Sequence, residues 1–136
     1  EINTFMPTYV VQQTASALNI SGKALNGSKV LILGLSYKKN IDDVRESPSL
    51  LIIKSLTEQG VYVEYSDPFF PKFPKLKKYF FDLKSIDITP TNLSRFDAVI
   101  LTTDHDDFDY ECVLESSNLI IDTRGKYEKS EKVFRA

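Results

Sequence analysis

Four short runs set the strongest limit on how this chain can fold: "KVLIL" at 29–33, "VYVEY" at 61–65, "DAVIL" at 97–101 and "NLIID" at 118–122. "KVLIL" is a continuous apolar run too short for a buried helix, which marks a strand covered on both faces; "DAVIL" and "NLIID" read as further strong strands and "VYVEY" as a strand between them. Helical patterns lie between them. Strands alternating with helices imply a parallel sheet with right-handed crossovers. The expected class is therefore α/β: a Rossmann-like three-layer domain with a mostly parallel sheet, preceded by a helix.

That first helix is expected over 7–20, with Pro7 in its first turn and Val10, Val11, Ala15 and Leu18 on its apolar face. A second follows Ser47-Pro48, a cap and a first helical residue, with Leu50, Leu51, Ile53 and Leu56 inward and Gly60 as the stop. A short helix is expected over 108–116, capped by Asp106 or Asp107. "SIDIT" suggests a short strand and "TPTNL" a helix start or turn. "SDPFFPKFPKLKKYF" has three prolines and predicts a long surface loop, and the polar tail "GKYEKSEKVFRA" predicts a loose end.

Composition narrows the function. The formal net charge is −2, which argues against a nucleic-acid partner and against attachment to a membrane by a basic surface. No apolar run approaches the ~20 residues that span a bilayer, and no signal peptide is visible. One cysteine, Cys112, rules out an internal disulfide framework and suits packing better than nucleophilic chemistry. The expected compartment is the cytoplasm. A first residue of Glu1 rather than Met suggests a fragment of something longer.

Ligands of such sheets sit outside the carboxyl ends of the strands. After the first strand stand Gly34, Leu35, Ser36, Tyr37, Lys38 and Lys39. A dinucleotide loop needs G-x-G-x-x-G, and only its first glycine is here; the P-loop pattern is absent too. Lys38 is either a solvated turn residue or a mobile point charge that meets an anion. Arg124 follows the last strong strand on the same rim and suits bidentate contact with phosphate. Two cations on one rim favour an anion site over either alone. Asp42, Asp43, Arg45 and Glu46 suit a local ion-pair network before the helix. Asp67 occupies the ribose-binding position of a Rossmann fold, yet "SDP" is also an ordinary turn. His105 is the chain's one histidine and a candidate general base; it stands in "TTDHDDFD", whose consecutive ligand-type residues rarely converge on one metal ion.

"KVLILGLSYKKNIDDVRESPSLLIIKSL" resembles the signature of the C-terminal domain of the UDP-glucose/GDP-mannose dehydrogenase family: a strand, G-L-x-[YF]-K, then a D-D-x-R-E-S-P turn into a helix. "MPTYVV", "YSDPFFP", "TTDHDDF" and "IIDTRGKY" extend the likeness along almost the whole chain.

The resemblance implies an NAD-dependent enzyme that oxidises the C6 alcohol of a nucleotide sugar to a carboxylate for polysaccharide precursors, and that forms a homo-oligomer when full length. It implies that 1–26 is the end of an inter-domain helix with a linker, and 27–136 the UDP-sugar-binding C-terminal domain. Tyr37, Lys38 and Arg124 would contact the UDP-sugar. No NAD site, metal or catalytic residue falls within the chain, since the glycine loop and the catalytic cysteine, lysine and asparagine belong to N-terminal and central domains that are missing here. "YKKNIDDVRESPS" leans towards the UDP-N-acetylhexosamine 6-dehydrogenase type. A stand-alone nucleotide-binding or regulatory module is the competing reading. A phosphorylatable receiver domain is excluded, because the third expected strand ends in "ITPT" rather than an acceptor aspartate and the fifth in arginine rather than lysine.

Overall fold

The computed structural model describes residues 2–36, 38–44, 47–76 and 81–136. In chain order these form helix α1 (Ile2–Ile20), strand β1 (Lys29–Leu33), helix α2 (Pro48–Glu58), strand β2 (Tyr62–Ser66), helix α3 (Pro90–Ser94), strand β3 (Ala98–Leu101), helix α4 (Tyr110–Ser116), strand β4 (Ile120–Asp122) and strand β5 (Val133–Arg135). The strands order as β2-β1-β3-β4-β5, and every pairing between them is parallel.

The sheet is covered on both faces, as its apolar strands demand. Val30 and Ile32 of β1 face a layer that holds Val10, Val11, Leu18, Ile52, Ile53 and Leu56 from α1 and α2. Leu31 and Leu33 face the opposite layer, with Leu93 of α3, Val113 of α4 and Phe96 from the connection between α3 and β3. The strand order reverses between β1 and β3, the expected switch point for a ligand crevice.

α2 begins as its sequence dictates. The Ser47 hydroxyl accepts the Ser49 amide, and Pro48 follows at the first helical position. α1 starts earlier than expected, at Ile2, so Pro7 lies inside the helix. Its buried stripe also differs: Thr14 and Ala17 are buried, whereas Ala15 is half-exposed. Thr14 can enter the core because its hydroxyl donates to the Val10 carbonyl at 2.8 Å.

The tail is not loose. Val133–Arg135 add β5 to the sheet, Val133 is 2% exposed, and Phe134 packs on the core. "SIDIT" supplies a single bridge, Ser85 to Tyr65, rather than a named strand. The cap of α4 is Asp109, which accepts the Cys112 amide; neither Asp106 nor Asp107 has that role, and Asp106 instead bonds Asn40. Cys112 is half-buried against the second core layer, as a packing residue would be.

Candidate functional site

The carboxyl ends of β1 and β4 open onto a cleft of about 450 Å³, within the usual range for small-molecule sites. Lys38, Lys39, Thr102, Asp104, Thr123 and Arg124 form its polar lining, and Met6, Val10, Pro48 and Ile52 its apolar wall. Among the described residues, three cations against one carboxylate give the lining a positive balance, although the whole chain carries −2. Lys38 and Arg124, expected on one rim of the sheet, line the same cleft. Tyr37, the third expected contact, lies outside the described residues, as do Arg45 and Glu46.

Arg124 is oriented by its surroundings. Its Nε donates to the Thr102 carbonyl at 2.9 Å and stands 4.0 Å from Asp104 Oδ1, while the side chain remains 38% exposed. The turn carrying it is fixed from behind by the buried Asp122 carboxylate. Oδ1 accepts the Arg124 amide and Oδ2 the Tyr127 amide, each at 2.8 Å. A guanidinium held through Nε presents a fixed fork, unlike a lysine on a flexible stem.

The turn after β1 is gripped by buried hydroxyls. Thr102 Oγ1 donates to the Gly34 carbonyl at 2.6 Å, Ser49 Oγ to the same oxygen at 2.8 Å, and Thr103 Oγ1 to the Ser36 carbonyl at 2.7 Å. Gly34 has φ 101°, and a Cβ there would come within 2.8 Å of the Thr103 backbone. The glycine therefore admits Thr103, not a pyrophosphate.

Asp67 and His105 are buried and bonded to each other, Nε2 to Oδ2 at 3.0 Å. Burial works to raise the Asp67 pKa; hydrogen bonds from His105, Leu35 and Phe69 outweigh it and hold the carboxyl below the usual range. Asp67 accepts the Leu35 amide at 2.6 Å and the Phe69 amide at 2.7 Å, so it does not offer itself to a ribose. His105 Nδ1 accepts the Asn40 amide at 2.7 Å, which places the ring proton on Nε2 and removes His105 as a general base. The Tyr127 hydroxyl donates to the Tyr110 carbonyl and the Tyr110 hydroxyl to the His105 carbonyl, each at 2.7 Å. Burial pushes both phenols above their usual range, so they persist as donors. Sequence reasoning missed this network. Its local signals, "SDP" and "TTDH", do not reveal that the two segments meet.

Residues 31–129 match the profile of the UDP-glucose/GDP-mannose dehydrogenase family, UDP binding domain. A UDP-N-acetyl-D-mannosamine dehydrogenase of Methanococcus maripaludis is 33% identical over 136 residues, covering 94% of this chain and 29% of that protein. A UDP-glucose 6-dehydrogenase of Rickettsia bellii is 31% identical, with 95% and 30% covered. Among solved structures, the UDP-N-acetyl-mannosamine dehydrogenase of Staphylococcus aureus superposes with a TM-score of 0.69 at 28% identity, covering 99% of this chain and 31% of that one. The UDP-D-ManNAc dehydrogenase of Pyrococcus horikoshii shares the fold, with a TM-score of 0.76 at 22% identity over 98% of this chain and 31% of that one. The chain spans about three tenths of the length of these relatives. It belongs to the UDP-glucose/GDP-mannose dehydrogenase family and corresponds to that family's UDP binding domain.

Proposed function

We propose that the cleft binds the diphosphate of a UDP-sugar, with Lys38 and Arg124 as its cationic grip; the family resemblance adds Tyr37 as a further contact. The observation that carries this reading is that two cations from the ends of different strands line one cleft. A compact ammonium and a planar guanidinium complement each other against phosphate oxygens. The positive lining also favours a ligand of two or more negative charges over a neutral sugar.

Residues 27–136 form the UDP-sugar-binding domain in this reading, and 1–26 supply the end of an inter-domain helix and a linker. The whole protein is an NAD-dependent UDP-sugar 6-dehydrogenase, acts in the cytoplasm and assembles as a homo-oligomer. Oxidising an alcohol to a carboxylate removes four electrons, hence two NAD+ per sugar. NAD itself does not fit this chain: the space beside Gly34 is filled by Thr103, and Asp67 is committed to backbone amides. This part contributes binding and orientation of the nucleotide, and hydride transfer belongs to the remainder. The sequence "YKKNIDDVRESPS" supports a UDP-N-acetylhexosamine as the substrate class.

The test is a titration of the 136-residue chain followed by NMR. UDP is expected to shift the Lys38 and Arg124 resonances and NAD+ to leave them unmoved. A response to NAD+ with silence towards UDP overturns the assignment.

A further inference from the structure

We propose that Asp67 and His105 are positioning residues for this cleft: a buried pair that suspends the lysine-bearing turn by its backbone at both ends. The proposal rests on the reading that the cleft takes UDP.

The described parts of the turn, 34–36 and 38–40, flank position 37, and Lys38 and Lys39 line the cleft. At its start, Asp67 Oδ2 accepts the Leu35 amide at 2.6 Å and the Ser36 amide at 3.3 Å. At its end, His105 Nδ1 accepts the Asn40 amide at 2.7 Å. The two holders are joined at 3.0 Å, so both ends hang from one rigid unit. Asn40 adopts φ 61°, unusual for a residue with a side chain. Its amide group brackets Asp106, donating to the carboxylate at 2.7 Å and accepting the Asp106 amide at 3.0 Å.

The pair does not itself meet a ligand. Both side chains have no exposed surface, and the imidazole contacts the rings of Phe69 at 4.9 Å and Phe108 at 5.4 Å. Their effect on binding must pass through the turn. Burying a carboxylate and an imidazole is costly unless each polar atom is matched, and an apolar core would need no such matching. Here the matching is spent on amides of the segment that presents Lys38. A turn that swings by an ångström would misplace that charge, and errors of this size cost large factors in function.

The test compares UDP affinity in the wild-type chain and in three His105 variants by titration, with folding checked by circular dichroism. H105F keeps the ring and removes both bonds; affinity should fall about tenfold or more. H105N keeps an acceptor near the Nδ1 position and should recover much of the loss. L93A, in the layer behind the opposite face of the sheet, should lower stability without changing affinity. A folded H105F that binds UDP like the wild type overturns the positioning role alone. A wild-type chain blind to UDP overturns the reading of the cleft, and the positioning role with it. Should H105F fail to fold, H105Q decides: it keeps a donor towards Asp67 and denies Asn40 its acceptor, and unchanged affinity refutes the proposal.

Discussion

Thr103 fills the space that a side chain on Gly34 would need: a Cβ there would stand against Thr103 Cβ and 2.8 Å from the Thr103 backbone nitrogen and oxygen. The φ of 101° at Gly34 adds backbone strain to any side chain there. Thr103 cannot retreat, because its hydroxyl is bonded to Ser36 and its amide to the Leu33 carbonyl. Gly34→Ala should therefore cost roughly 3 kcal/mol or more, strain and overpacking together. Gly22→Ala separates the two effects. Gly22 has φ 78° with nothing within 4 Å of its added Cβ, so strain alone should cost it about 1 kcal/mol. Urea unfolding of both variants provides the comparison, and equal midpoints would refute the packing argument.

Arg124 should be far more important to binding than to folding. Its side chain is 38% exposed, and the Asp104 carboxylate stands at 4.0 Å, an arrangement that contributes little to stability. Arg124→Lys keeps the charge but loses the fork held by the Thr102 carbonyl. UDP affinity should drop about tenfold, equivalent to ~1.4 kcal/mol, while the unfolding midpoint stays nearly constant. Calorimetric titration at two salt concentrations checks this. A lysine variant as tight as the wild type would mean that charge alone is read.

Asp67 should give the chain a steep acid limb. Hydrogen bonds outweigh burial and depress its folded pKa, so its contribution is complete above the unfolded value of about 3.9 and vanishes as pH falls through the lower folded value. Asp67→Asn should lower stability at pH 7 by roughly 2 kcal/mol and flatten the decline below about pH 4. Some slope should persist, because Asp97 is depressed as well: burial raises its pKa, and the Lys23 and Lys29 contacts more than offset it. Denaturant midpoints across that range test the claim, which a variant with the wild-type slope would contradict.

The features legible in the sequence were those set by local chemistry. An unbroken "VLIL" can only be covered on both faces, and Ser47-Pro48 can only begin a helix. Lys38 and Arg124 could be placed together because parallel strands bring their carboxyl ends to one rim. Non-local choices were hidden. Three aspartates within four positions each suit a cap, and Asp109 has that role while Asp106 bonds Asn40 across the fold. Thr14 looks polar until the Val10 carbonyl accepts its hydroxyl. Asp67 and His105 lie 38 positions apart, and nothing in either segment announces the other. The apolar wall of the cleft depends on where α1 lands, which helical periodicity does not tell.

The strand least visible in the sequence also makes the sharpest truncation test. β5 has three residues, too few for a periodic signal, yet it closes one edge of the sheet. Val133 is buried, the Ala136 amide bonds the Asp122 carbonyl at 3.1 Å, and Lys132 Nζ reaches the Leu114 carbonyl at 2.6 Å. Gln13 of α1 donates to the Arg135 carbonyl at 3.3 Å, so the tail also ties the first helix to the sheet. Ending the chain after Ser130 would strip these contacts and bare the edge of β4, an apolar strand with unpaired backbone groups. The truncated chain should lose about 3 kcal/mol or more, from the buried valine and the hydrogen bonds that go with it. It should also associate as its concentration rises, because an open edge pairs with another copy. Thermal unfolding and light scattering measure the two effects. A truncated chain that stays monomeric and melts with the full one would show β5 to be an ornament of the sheet rather than its guard.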